Sequence, residues 1–205
     1  MKFTTALCSV LPSLTSLAQT QSTPASSAAP TPGYATNTPS TLNATQSANL
    51  SFGQHYAVLN LDLINGLVGS INSTAAGQSF INSTATWINA VHAQQPPPLS
   101  IFTRIYFSNR QRPEIGVPFS PFSQTVAGLG NVTEADAVGA LYPAFEVLED
   151  WDVVMPKTRY YAGAGNALEE ILRAQQIDTV VLSGIRTSGV ILSTTYRLFD
   201  LDYKV

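Results

Sequence analysis

The chain is poor in charge. Only 11% of its 205 residues are Asp, Glu, Lys or Arg, and between Lys2 and Arg104 the single such residue is Asp62. A surface so short of charge has to be solvated by Ser, Thr, Asn and Gln, or by glycans. Cysteine is scarcer still: Cys8 is the only one, which excludes an intrachain disulfide, a thiolate metal site and, in anything downstream of the N-terminus, a cysteine nucleophile. The two histidines, His55 and His92, read as surface or helix-face residues, and no Asp/His cluster is present, so no metal is expected. Net charge is −3 and there is no basic block, which argues against nucleic-acid binding. No apolar run reaches the ~18 residues a membrane-spanning helix requires.

What is present divides the chain into three. Residues 1–18 have the order of a secretory signal: Lys2 supplies a positive start, an apolar stretch interrupted by Pro12 runs from Phe3 to Leu17, and Ser16-Leu17-Ala18 offers a small-residue cleavage site. Residues 19–50 are Ser, Thr, Pro, Ala, Asn and Gln with no Asp, Glu, Lys or Arg, the composition of a disordered linker. Five Asn-x-Ser/Thr sequons, at Asn43, Asn49, Asn72, Asn82 and Asn131, fit N-glycosylation and an extracellular destination. Residues 51–205 carry the fold.

In that part, apolar strand-like runs alternate with helical patterns. Tyr56–Asp62 is a buried-type strand; a helix over about 74–94 puts Phe80, Trp87, Ile88 and Val91 on one face and stops at Gln95-Pro96-Pro97-Pro98. Leu99–Phe107 is a second strand. A Pro-containing excursion occupies 108–150, a length usually functional in a compact domain. Trp151–Pro156 is a third strand with Lys157 just beyond it, followed by a helix from Ala162 to about Gln175. Asp178–Ile185 is a fourth strand, a helix starts near Thr187 or Ser188, and Tyr203-Lys204-Val205 resembles the start of a fifth strand. Continuous apolar strands alternating with helices predict an α/β domain: a parallel sheet between two helical layers. Ligands of such sheets bind at the carboxyl ends of the strands. Asp62, Lys157 and the turn Gly184–Arg186 all fall there. Taken singly, Asp62 could be a turn or cap aspartate and Lys157 a solvated lysine. Together they form an acid with an obvious cation, able to hold or transfer a proton. Gly163-Ala164-Gly165 is read as a turn and not a nucleotide cradle, because Leu168 stands where a third glycine would be needed, and no cofactor is expected.

Three motifs in this order resemble the isochorismatase-like hydrolases, which include nicotinamidases and N-carbamoylsarcosine amidohydrolases: Leu59-Asn60-Leu61-Asp62-Leu63-Ile64-Asn65, Val153-Val154-Met155-Pro156-Lys157, and Val180 through Thr194 with Gly184-Ile185-Arg186-Thr187-Ser188-Gly189-Val190 at its centre. The resemblance implies a three-layer, Rossmann-like fold, Asp62 and Lys157 as catalytic residues, a non-proline cis peptide at Ile185-Arg186 and association into oligomers, for which the aromatic-rich 115–145 segment is a candidate surface. It also implies that Val190 stands at the nucleophile position, where the amidases carry cysteine. An amidase working through a thioester is thereby excluded, whereas the isochorismatase branch needs only proton transfer and water. The family continues beyond a fifth strand, so a truncated C-terminus is expected, and Gly163 replaces a common aromatic, which predicts an open pocket wall. Arg186, Arg104 and Asn65 are the candidate substrate-binding residues. Two functions follow as expectations: a secreted hydrolase of a small molecule using Asp62, Lys157 and water, or a catalytically inactive relative serving as a binding or assembly module.

Overall fold

The computed structural model describes residues 52, 53, 55–116 and 120–205. The expected signal segment, the linker and the sequons Asn43 and Asn49 lie outside these residues. Four parallel strands, β1 (Tyr56–Leu61), β2 (Leu99–Ile105), β3 (Val153–Lys157) and β4 (Thr179–Gly184), form one sheet in the order β3-β2-β1-β4. The helices are α1 (Asn65–Val68), α2 (Ala75–His92), α3 (Pro121–Thr125), α4 (Leu168–Ala174) and α5 (Leu192–Phe199).

β1 is central, and its residues from Ala57 to Leu61 are buried. Ala57, Leu59 and Leu61 pack with Leu168 and Leu172 of α4 and Leu198 of α5, while on the other layer Ile81 and Ile88 of α2 pack with Leu63, Phe102 and Phe145. Each such Leu or Ile, removed from water, contributes about 1.5–3 kcal/mol. Asn60 is the polar exception within β1. Its side chain receives a hydrogen bond from Ser183 of β4 at 3.2 Å and reaches Ser100 of β2 at 3.4 Å, so a polar rung crosses three strands.

α2 begins at Thr74, whose hydroxyl accepts from the Gly77 amide, and ends before the cis Gln95-Pro96 bond. Its fully buried face is Gly77, Ile81, Thr84, Ile88 and Val91; Phe80 and Trp87, expected on it, are only half-buried at its margin. Three further boundaries differ from expectation. Lys157 is the last residue of β3 and pairs in register with Ile105. The helix expected from Ala162 starts only at Leu168, after a run of turns, where Asn166 accepts from the Leu168 amide. The helix near Thr187 opens with a wide π-type turn, Thr187–Ile191, before α5. The expected fifth strand is present as a parallel bridge of Lys204 with Thr179. The described residues between β2 and β3 contain α3 and short 3-10 turns. Among the described residues no helix is long and apolar enough to cross a membrane.

Candidate functional site

β1 ends at Leu61, and the next residue, Asp62, turns the chain with φ 58°. This left-handed backbone is uncommon outside glycine, asparagine and aspartate, and costs about 1–2 kcal/mol. The conformation is held from both sides: the Asp62 amide donates to Thr103 Oγ1 at 3.1 Å, and the Asp62 carbonyl accepts from the Ile64 amide at 2.7 Å. The Thr103 hydroxyl then donates to Asp62 Oδ1 at 2.8 Å. The other carboxylate oxygen, Oδ2, lies 2.7 Å from Lys157 Nζ, and both side chains are almost wholly buried.

Lys157 uses its remaining donors on the carbonyls of Arg159 at 2.9 Å and Tyr160 at 3.1 Å. Three acceptors around one ammonium match its three N–H donors, so its position is fully determined. Burial raises the Asp62 carboxyl above the ordinary carboxylate range, against the opposing pull of Lys157. Burial likewise lowers Lys157, against the opposing pull of Asp62. Both shifts have the same origin: desolvation penalises each charge, and each partner restores part of the loss. Such a carboxyl exchanges a proton more readily in neutral solution than a solvated aspartate does.

The pair forms part of the wall of a cavity of about 440 Å³ at the carboxyl end of the sheet. The turn after β4 supplies another wall. Gly184 has φ 142°, and a Cβ there would lie 2.2 Å from the Leu61 carbonyl oxygen, so only glycine lets β4 run this close to the end of β1. The Ile185-Arg186 peptide is cis, as the resemblance implied. Ile185, Arg186, Ser188, Gly189 and Val190 all line the cavity, and Val190 is buried. A roof comes from Thr125, Val126, Gly128 and Leu129 in and after α3.

Gly163 does not line the cavity and lies against Tyr161, whereas Tyr160 forms part of the wall. This ring lines the cavity, lies edge-on to Phe122 with centroids 5.4 Å apart, and would stand 3.0 Å from a Cβ at Gly189. Phe122 is in turn covered by the Arg159 guanidinium at 4.9 Å.

Of the expected binding residues, Arg186 reaches the cavity, where its Nη2 donates to Ser70 Oγ at 3.2 Å. Arg104 and Asn65 do not line it. Arg104 donates to the carbonyls of Gly139 at 2.7 Å and Glu134 at 2.8 Å and lies over Tyr106; Asn65 donates to the Ala137 carbonyl at 2.8 Å. Both tie the long excursion to the sheet because side chains alternate along a strand, so Thr103 and Ile105 point to the site and Arg104 points away. Of the sequons in the described part, Asn82 and Asn131 are exposed and Asn72 is half-buried. Sequence reasoning misses Thr103, Tyr160, Ser70 and the roof. A hydroxyl near the end of a neighbouring strand is the available signal for Thr103, and Tyr160 stands three residues past the lysine. Among the described residues no group of three or more His, Cys, Asp or Glu gathers in the manner of a metal site.

The sequence model of the isochorismatase domain matches residues 56–205. Comparison with curated protein sequences finds no match. Among solved structures, the chain is similar to an isochorismatase family protein from Burkholderia thailandensis, with 24% identity and a TM-score of 0.59 over 75% of each chain. It is similar to a cysteine hydrolase from Pseudomonas syringae pv. phaseolicola, with 19% identity and a TM-score of 0.61 over 74% of this chain and 68% of that one. N-carbamoylsarcosine amidase from Thermoplasma acidophilum matches at 18% identity and a TM-score of 0.58, over 73% of this chain and 79% of that one. At these identities the structural likeness establishes the fold.

Proposed function

The chain belongs to the isochorismatase-like hydrolase family, and on that premise we propose that it hydrolyses a small molecule by acid–base chemistry with water, without an enzyme nucleophile. The observation that carries this reading is the buried Asp62–Lys157 pair, 2.7 Å apart, on the wall of a closed-in cavity. Water attacks the electrophilic carbon of the substrate, and the bond from that carbon to the leaving heteroatom breaks. One proton lost by the water ends on that heteroatom, with Asp62 as the relay. Lys157 positions the carboxyl and balances its charge, and Thr103 fixes its rotation. Val190 presents only methyl groups where the amidase relatives are expected to carry their cysteine, so the pocket floor is apolar and a covalent thioester has no atom to form on.

Val190 also supports a second reading, in which the fold is retained as a binding module. The two separate on one experiment. Amides, esters and vinyl ethers are offered to the wild type and to Asp62→Asn, after both are shown to unfold cooperatively. Asparagine tolerates the left-handed backbone of position 62, so the variant, compared per folded molecule, tests the proton. The expected result is turnover of one bond class, lowered by about 10²–10⁴-fold in the variant. Equal turnover in the two proteins, or none from the folded wild type across the panel, removes the hydrolase reading.

A further inference from the structure

Three charged side chains line the cavity: Asp62, Lys157 and Arg186. The first two neutralise each other at 2.7 Å. Arg186 has no carboxylate within ion-pair distance among the described residues. The cavity therefore carries one uncompensated positive charge, set opposite a largely apolar wall of Leu67, Ile105, Val126, Leu129 and Val190.

The arginine is oriented as well as unpaired. Ser70 donates its own hydroxyl proton to the Leu67 carbonyl at 2.6 Å, which leaves an oxygen lone pair for the Arg186 Nη2–H at 3.2 Å. A guanidinium has five N–H donors in a planar fork. One of them is used here among the described residues. Arg186 stands in the turn after β4, beside Ile185 and four residues before Val190.

We propose that Arg186 is the anion anchor of the site and that the substrate is a small monocarboxylate with an apolar body. The carboxylate is gripped by the free edge of the guanidinium, and the body lies against Val190 and the α3 roof. A cation would meet no partner in this cavity, and a dianion would bring a second charge with no cation to receive it, since Lys157 is saturated by Asp62 and two carbonyls. Bidentate binding to arginine is the strongest carboxylate contact a side chain offers, and here solvent weakens it because Arg186 is exposed.

This inference rests on the cavity being the substrate site, as proposed above, but its test does not depend on turnover. Binding of benzoate and of benzamide, and of cyclohexanecarboxylate and its amide, is measured by titration calorimetry on the whole chain. The proteins are wild type, Arg186→Met and Arg186→Lys, each first shown to unfold at an unchanged temperature. The wild type is expected to prefer the acid of each pair by about tenfold, the low end for a hydrogen bond to a charged group. Arg186→Met brings that ratio to about one, and Arg186→Lys keeps part of it. The proposal is overturned if the wild type shows no preference for the acid in either pair, or if Arg186→Met keeps the wild-type ratio. A protein that binds acids through Arg186 yet turns nothing over loses the hydrolase reading and keeps this one.

Discussion

Two carboxylates among the described residues are buried against a lysine or histidine side chain, at opposite ends of the same sheet. Asp62 follows the last residue of β1 and meets Lys157 at 2.7 Å. Asp152 precedes the first residue of β3 and meets His92, the last residue of α2, at 3.0 Å. By distance and burial the pairs are alike. Their surroundings differ. Asp152 Oδ2 also accepts the Leu148 amide at 2.8 Å, closing the turn that leads into β3, and neither Asp152 nor His92 lines the cavity. Asp62 lines it, on backbone held in a strained conformation. A buried carboxylate in contact with a lysine or histidine is thus by itself no sign of chemistry. The sign is a pair at the carboxyl end of a parallel sheet, where the strands open onto a cavity; the pair at the amino end fastens a helix to a strand.

That contrast is broken or sharpened by exchanging losses. Asp62→Asn is expected to lower turnover per folded molecule by about 10²–10⁴-fold, beside the stability lost by leaving the buried Lys157 ammonium without its carboxylate. Asp152→Ala is expected to lower stability alone. It strips the His92 ring of its partner while the other ring nitrogen, Nδ1, is already buried without one. It also removes the acceptor of the Leu148 amide, so the loss is about 2–3 kcal/mol of stability, with turnover per folded molecule unchanged. If Asp152→Ala abolished turnover at full stability, or Asp62→Asn left turnover per folded molecule unchanged, the two ends would have to be reassigned.

The next largest effect belongs to Lys157→Met, and it depends on pH. In the variant Asp62 loses the cation that opposes its desolvation, so its folded-state pKa rises further above the ordinary 3.8. For an acid raised on folding, the folded state holds the proton longer than the unfolded state. Stability is then highest below the unfolded pKa and is lost as pH climbs from there through the folded value. Urea unfolding of Lys157→Met and wild type at pH 4 and pH 8 should show a deficit at pH 8 of about 3–5 kcal/mol, the cost of a buried charge left alone, that shrinks at pH 4. A deficit equal at both pH values would mean that the lysine contributes packing and not charge.

The sheet end of the site is legible in the sequence because its signals are local. One acid interrupts a charge-free apolar run, one lysine ends another, and strand–helix alternation places both at one edge. The roof is not legible. Thr125, Val126 and Leu129 sit in an excursion of short turns without helical or strand period, and nothing in such a segment says which way it folds back. Arg104 lies near the end of β2, which suggests the crevice, but a one-residue offset in a strand reverses the side of the sheet. Tyr160 escapes notice because it stands in a run of turns past Lys157, and nothing local says that its ring faces the cavity.

Thr103 is the smallest and most discriminating case, since its role depends on strand order. The sheet runs β3-β2-β1-β4, so the neighbour of β1 on one side is β2, which pairs Thr103 with Leu61 and brings its hydroxyl to the residue that follows. That hydroxyl donates to the Asp62 carboxylate and accepts from its amide. Thr103→Val keeps the shape and removes both bonds, leaving a buried amide unpaired at a cost of about 1–2 kcal/mol. It also removes one of the contacts that lower the Asp62 pKa, so the pKa rises. If Asp62 takes the proton from water, the acid limb of the kcat/KM profile moves to higher pH; if Asp62 must begin protonated, it is the alkaline limb that moves up. A profile unmoved while stability falls would make Thr103 a strut for the backbone of Asp62 and nothing more, and would leave the carboxyl to be tuned by Lys157 and burial alone.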